Sequence, residues 1–287
     1  MFIGFEYQAV FQPGFDKLPP QEQVLKLGSL SLMLLAVGLL LAPGAYHQLV
    51  AHGQDSTDVS DFTGRIAALA LLPFALGMGI DVYVTTFVVL EHAWPLVFGV
   101  AAAVTAIFFW YGLEWLVRLT TETPQEAYDM SKPTELATRI KQVLTEARVV
   151  LPGARALLGF QFAAVLTDGF AKLPPMSQYV HLISLALIGV SIVFLMAPAA
   201  FHRIVERGED TERLHAFASA MVLAAMVTLA LGIAGDFYVV LEKVLHNQQL
   251  AIMLAGVAVA FFYGLWFGLT AALRTRQSKQ VVTQPAR

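Results

Sequence analysis

Two aspartates in the sequence stand inside long apolar segments, where a carboxylate is unusual. Asp81 occurs in ALGMGIDVYVTTFVVL (75–90) and Asp236 in ALGIAGDFYVVLEKVL (230–245). In membrane helices, each would lie roughly 9 to 13 Å below one bilayer boundary. A carboxylate at that depth is costly, so it is either neutral or paired. The pattern is compatible with a proton- or cation-binding carboxylate in each half, and equally with a structural carboxyl group that hydrogen-bonds to a closely packed helix or caps a helix break.

Glu6 is expected at a depth similar to that of Asp81, and Gln161 takes the matching place beside Asp236. Two neighbouring carboxyl groups share a proton, so a Glu6–Asp81 pair would suit proton exchange. The Gln161–Asp236 pair also fits a plain hydrogen bond, for which glutamate or glutamine would serve. The sequence leaves both interpretations open.

Two histidines each follow a proline by four residues, His47 in LAPGAYHQLV (41–50) and His202 in MAPAAFHRIV (196–205). The pattern predicts the last turn of a helix, where the negative end of the helix dipole favours a histidine. The alternative is a pair of axial haem b ligands or a metal site, with one histidine from each half. We otherwise expect no catalytic residue, no metal ion and no cofactor.

The composition predicts an all-α integral membrane protein. Hydrophobic residues make up 57% of the chain and charged residues only 14%. Three runs, 27–45, 181–200 and 251–273, contain no Asp, Glu, Lys or Arg, and roughly 20 such residues span a bilayer as a helix. The absence of cysteine excludes disulfides and thiolate metal sites.

The sequence also contains an internal repeat. Residues 1–90 align with 156–245 without a gap, and 33 of these 90 positions are identical. GFEYQAVFQPGFDKLPP (4–20), for example, matches GFQFAAVLTDGFAKLPP (159–175). The repeat predicts a tandem duplication into two parallel four-helix repeats. Seven to eight transmembrane helices result, because the first helix of the first repeat is short.

The predicted organisation follows from the repeat and from the charges. We expect a first membrane repeat over 1–118, a cytoplasmic linker over 119–147, a second membrane repeat over 148–276 and a cytoplasmic tail over 277–287. With both termini on the same side, fourteen of the 18 Lys and Arg residues fall on that side; the exceptions are Lys17, Lys26, Lys172 and Lys243. The positive-inside rule then predicts a bacterial cytoplasmic membrane protein with cytoplasmic N- and C-termini.

Each repeat resembles an uncharacterised family of bacterial multi-pass membrane proteins, a domain of unknown function. Three stretches carry the resemblance: ARVVLPGARALLGFQFAAVLTDGFAKLP (147–174), LMAPAAFHRIVERGED (195–210) and ALGIAGDFYVV (230–240). Members of this family are sometimes labelled sodium:proton antiporters. The resemblance implies the fold unit and the membrane location, and it assigns no catalytic residue.

Three functions are compatible with these features. The duplicated intramembrane aspartates favour a proton- or cation-translocating secondary transporter. The scarcity of buried polar groups favours a non-catalytic scaffold or accessory subunit of a larger membrane complex. The two histidines leave open a haem-binding electron-transfer subunit. The expected partners are the lipid bilayer and either other membrane subunits or a second copy of the chain, and no nucleic acid.

Overall fold

The computed structural model describes residues 2–51, 54, 57–90, 94–112 and 135–275, and within these ranges the chain is helical, without strands. The α-helices, numbered in chain order, are α1 (Phe2–Ala9), α2 (Pro20–Leu49), α3 (Thr57–Val89), α4 (Pro95–Ile107), α5 (Leu136–Val165), α6 (Asp168–Ala171), α7 (Pro175–Ile204), α8 (Glu212–Leu245) and α9 (Gln248–Tyr263). Two five-residue π-helical segments, Phe108–Gly112 and Gly264–Gly268, continue α4 and α9.

Seven helices are long and apolar enough to cross a bilayer. They are all the helices above except α1 and α6, with α4 extended to Gly112 and α9 to Thr275. The described α1 has eight residues and is about 12 Å long, which is less than half of a bilayer core. The predicted all-α membrane protein is therefore confirmed, with seven candidate spans.

Prolines set the beginnings of two corresponding helices. Pro20 and Pro175 stand in the first turn of α2 and α7, where the missing N–H group removes no helical hydrogen bond. Both helices run for 30 residues and end six residues after an internal proline, Pro43 or Pro198. The two halves of the chain thus present helices of equal length from equivalent starting points.

The helix α5 begins before residue 148, where the second membrane repeat was predicted to start. It begins at Leu136 and ends at Val165, and the separate turn α6 follows. Ile140, Val143 and Ala147 are buried at helical spacing, so the apolar face continues into the segment assigned to the linker. Residues 119–134 of that linker and the tail 277–287 lie outside the described residues, and the division into repeats stays a prediction.

The two ends of the molecule differ in chemistry. The end that holds residues 17–20 and 172–175 is called the KLPP end, after the sequence that the two segments share. The opposite end, where α2 and α7 finish and α5 and α8 begin, carries Arg139, Arg203, Arg207 and Arg213 and is called the basic end.

The helix α8 lies at the centre of the packing, in contact with α2, α5, α7 and α9, while α1 packs between α2 and α5. The Trp266 indole, after α9, donates a 2.8 Å hydrogen bond to the Gly38 carbonyl of α2. A Cβ atom at Gly38 would overlap the Phe261 ring, so glycine permits this approach. This contact joins α2 of the N-terminal half to the segment after α9 in the C-terminal half.

Candidate functional site

The first group of polar side chains within the helices surrounds a lysine. Lys26 Nζ, six residues into α2, lies 2.7 Å from Glu6 Oε1 and 2.7 Å from Asp81 Oδ1. Ser29, one turn further along α2, donates a 2.8 Å hydrogen bond to the same Asp81 oxygen. The residues Glu6, Lys26, Ser29 and Asp81 are called the lysine cluster below. The predicted Glu6–Asp81 pair is thus joined by a cation from the helix between them.

The second group surrounds a histidine. The Gln161 side-chain amide donates a 2.7 Å hydrogen bond to Asp236 Oδ2, and His181 Nδ1 lies 3.4 Å from Asp236 Oδ1. The Tyr7 hydroxyl oxygen lies 2.5 Å from the same His181 nitrogen. These four residues, Tyr7, Gln161, His181 and Asp236, are called the histidine cluster. All four are at least 95% buried.

The hydrogen bonds of His181 assign its protons. Nε2 lies 3.2 Å from the backbone carbonyl oxygen of Gln161, which only accepts, so Nε2 carries a proton. In the neutral ring, Nδ1 then accepts the Tyr7 hydroxyl proton. In a charged ring, Nδ1 would also carry a proton, and the acceptors nearest to it would be the Tyr7 hydroxyl oxygen and, 3.4 Å away, Asp236 Oδ1. The cluster therefore offers a partner to either protonation state of the imidazole.

The two clusters occupy corresponding positions. Adding 155 to the numbers of Glu6, Lys26 and Asp81 gives Gln161, His181 and Asp236. Lys26 and His181 each lie about 9 Å along their helices from the KLPP end, at 1.5 Å per residue. Both clusters therefore lie inside the apolar part of the molecule at the same level.

The residue differences between the clusters leave the net charge equal if His181 is neutral. With both carboxylates ionised and the lysine charged, the lysine cluster has a net charge of −1, and one added proton brings it to zero. With Asp236 ionised and His181 neutral, the histidine cluster also has a net charge of −1, and one added proton neutralises it. Replacing glutamate by glutamine removes an acid, and replacing lysine by histidine removes a permanent cation.

The short helix α1 contributes to both clusters. Glu6 contacts Lys26 in the lysine cluster, and the next residue, Tyr7, contacts His181 in the histidine cluster. The counterpart of Tyr7 in the sequence repeat is Phe162, which is exposed and takes no part in the lysine cluster. The N-terminal half thus completes the site of the C-terminal half.

Two cavities border the histidine cluster. One of about 320 Å³ lies near the beginning of α7 and has His181 in its wall, together with Gln178 and Tyr179. The other, beside Tyr7 and Asp236, has a volume of about 10 Å³, the lower limit for one water molecule. The imidazole thus stands between the larger cavity and the closed surroundings of Asp236.

The two candidate haem ligands each lie near a carboxylate. His47 Nδ1 lies 2.7 Å from Glu146 Oε1, and His202 Nε2 lies 3.7 Å from Asp210 Oδ1. In the described ranges, no group of three or more His, Cys, Asp or Glu side chains could hold a metal ion. The proposed haem role stays a prediction, which the absorption spectrum of the purified protein tests.

Sequence reasoning missed four members of the clusters: Tyr7, Lys26, Ser29 and His181. It assigned Lys26 only to the side of the membrane opposite the termini and gave it no partner, whereas its side chain is 13% exposed and paired with two carboxylates. The repeat contained the signal, because Lys26 aligns with His181 and Ser29 with Ser184, all four within apolar helices. Tyr7 had no such signal.

Comparisons with known proteins place the chain in a family. No curated protein and no solved structure matches it. The model of a family of unknown function, DUF6328, matches residues 1–114 and 131–270. The chain, a multi-pass helical membrane protein, therefore belongs to the DUF6328 family.

Proposed function

We propose that the protein is a secondary transporter that moves protons or monovalent cations, with the lysine and histidine clusters as its two ion-binding sites. The observation that supports this proposal is the pairing of the aspartate in each half with a basic side chain inside the candidate spans, Asp81 with Lys26 and Asp236 with His181. Glu6 and Lys26 correspond to Gln161 and His181, so with the carboxylates ionised and His181 neutral each cluster would become neutral by gaining one proton.

A net charge of −1 on a cluster that has lost its proton would have a direct consequence for ion exchange. A cluster with a charge of −1 inside an apolar protein is costly, so a positive ion that replaces the lost proton is favoured. Carboxylate, hydroxyl and amide oxygens suit a small hard cation. Proton release and cation uptake at the same site would therefore compete, which is the basis of an exchange mechanism.

The proposal also specifies the membrane in which the protein lies and the side that its termini face. The fourteen Lys and Arg residues assigned to one side favour a bacterial cytoplasmic membrane with both termini in the cytoplasm. The KLPP end and the clusters near it would then face the outside. The sequence repeat favours a duplicated gene as the origin of the two sites, and both halves would then point the same way.

A non-catalytic scaffold is the second candidate, and one observation favours it. The cluster side chains bind one another across three helices in each half, and only about 10 Å³ of free space borders Asp236. Such a network would hold the helices in register without moving an ion. The chain would then act as an accessory subunit of a larger membrane complex.

Ion flux in reconstituted liposomes distinguishes these functions. Liposomes containing the protein and an internal pH dye are given a sodium or potassium gradient, and proton movement is followed. We expect flux above that of empty liposomes and at least a tenfold loss in Asp81→Asn and in Asp236→Asn. Asp16→Asn is the matched control, because Asp16 pairs with Lys243 outside both clusters and is half exposed.

Two results would reject the transporter. One is wild-type flux equal to that of empty liposomes under both gradients, and the other is unchanged flux in both cluster variants. Purification of the protein with a stoichiometric membrane partner, together with absent flux, would favour the scaffold.

A further inference from the structure

A wide groove lies at the basic end of the molecule between α5 and α7. It has a volume of about 1000 Å³. Four of its lining residues carry a basic side chain, and the others are mostly apolar. The basic residues are Arg148, His202, Arg203 and Arg207, and the apolar residues are Leu144, Val193, Met196, Ala197, Ala199 and Ala200.

The arginines of this groove have no carboxylate partner in the described part of the chain. None of the ion pairs there involves Arg148, Arg203 or Arg207. Three acidic residues, Glu206, Glu209 and Asp210, lie in the connection between α7 and α8 but do not line the groove. Asp210 lies near His202 instead. The positive charge in the groove is therefore available to an anion.

The apolar wall of the groove extends into the membrane. Val193 stands eleven residues before the end of α7 at Ile204, which is about 16 Å along the helix. The wall also contains Met196 and Ala197, one turn closer to the basic end. The groove thus has a charged mouth and an apolar interior, as a phospholipid has a charged headgroup and acyl chains.

A further arginine lies beside this apolar wall. Arg155 Nη2 is 3.3 Å from the sulfur of Met196, and Arg155 belongs to the candidate span of α5. A guanidinium within a membrane span is costly unless it reaches an anion or the headgroup region.

We propose that the groove binds one anionic phospholipid. Its phosphate accepts hydrogen bonds from Arg148, Arg203 and Arg207, because guanidinium groups match phosphate oxygens in geometry and charge. Its acyl chains lie along Val193, Met196 and Ala197. Basic pockets between membrane helices are known to hold anionic headgroups in this way.

The proposed lipid site belongs to the C-terminal half alone. The counterparts of Arg203 and Arg207 in the sequence repeat are Gln48 and His52. The Gln48 amide already donates to Glu146 Oε2 on α5, 2.7 Å away. The basic end is thus specialised differently in the two halves, and the proposal does not depend on ion transport.

Native mass spectrometry of the full chain in detergent tests the proposal. The protein is titrated with phosphatidylglycerol and with phosphatidylcholine of the same acyl chains. We expect phosphatidylglycerol to bind preferentially and its affinity to fall about fivefold for each arginine removed, hence about 25-fold in Arg148→Gln/Arg203→Gln. The double variant Arg65→Gln/Arg274→Gln removes the same charge outside the groove and is expected to bind as the wild type does.

A third double variant tests whether the loss of lipid binding comes from misfolding instead of from the lost charge. Arg148→Lys/Arg203→Lys keeps both charges and is expected to retain preferential binding of phosphatidylglycerol. Equal affinity for the two lipids, or equal loss in the groove and control glutamine variants, would overturn the proposal. Displacement of the lipid by equimolar inorganic phosphate would also overturn it, because the groove would then be a site for free anions.

Discussion

The lysine and histidine clusters pair an aspartate with a basic side chain at corresponding positions but at different degrees of burial. The Asp81 side chain is 19% exposed and the Asp236 side chain 5%. The more accessible cluster contains lysine, and the more deeply buried cluster contains histidine. A lysine ammonium group would cost more free energy in the more deeply buried histidine cluster than it does in the lysine cluster. Lysine therefore occurs in the more exposed cluster and histidine in the more deeply buried one.

The largest expected effect comes from removing the cation of the lysine cluster. Lys26→Met leaves Glu6 and Asp81 without a counter-charge, and we expect the free energy of unfolding to fall by about 3 kcal/mol. Chemical denaturation in detergent micelles measures the change. Lys243→Met is the control, because it breaks an equally short pair with the half-exposed Asp16 and is expected to cost less than about 1 kcal/mol. Equal costs would contradict the difference in environment.

Helix packing around the clusters offers a second comparison, between Gly232 and its counterpart Gly77. A Cβ atom at Gly232 would overlap the branched Ile188 side chain, whereas a Cβ atom at Gly77 would meet the flexible end of Met33. We expect Gly232→Ala to lower the free energy of unfolding by about 2 kcal/mol through overpacking. Gly77→Ala is expected to change it little. The same denaturation experiment measures both variants, and a larger loss at Gly77 would be inconsistent with the packing described.

The smallest expected effect concerns the contribution of α1 to the histidine cluster. Tyr7→Phe removes the hydroxyl group beside His181, and we expect a loss of about 1 kcal/mol in the free energy of unfolding, typical of a hydrogen bond between membrane helices. Tyr179→Phe, at an exposed position, serves as the control. In a double-mutant cycle, the effect of Tyr7→Phe should disappear in a His181→Phe background. Full additivity would show that the two side chains do not interact.

The membrane fold was largely predictable from the sequence because long uncharged runs have few alternatives to a spanning helix. Seven candidate spans agree with the predicted seven to eight. The bounds of α5 were not predictable, because its charged first turns resemble a linker while the buried Ile140 and Val143 hold them in a helix. The polar residues in the first turns of α5 made its buried apolar face hard to recognise in the sequence.

The clusters were predictable only in part. The sequence singled out Asp81, Asp236, Glu6 and Gln161, and the structure brings each pair of these residues into one cluster. Lys26 was counted only as a charge near one side of the membrane, because it lies six residues from the start of α2. Tyr7 was unpredictable because its contact with His181 depends on how α1 packs between the halves, which the repeat alone does not specify.

The most direct test gives the lysine cluster the residues of the histidine cluster. It asks whether ion movement depends on the two clusters having the same net charge. Proton flux is measured in liposomes with Glu6→Gln, Lys26→His and the double variant Glu6→Gln/Lys26→His. Each single change alters the charge of the lysine cluster, so at least a tenfold loss is expected, whereas the double variant recreates the charge of the histidine cluster and should recover most of the flux. Flux in the double variant no higher than in the worse single variant would contradict the equivalence of the two clusters.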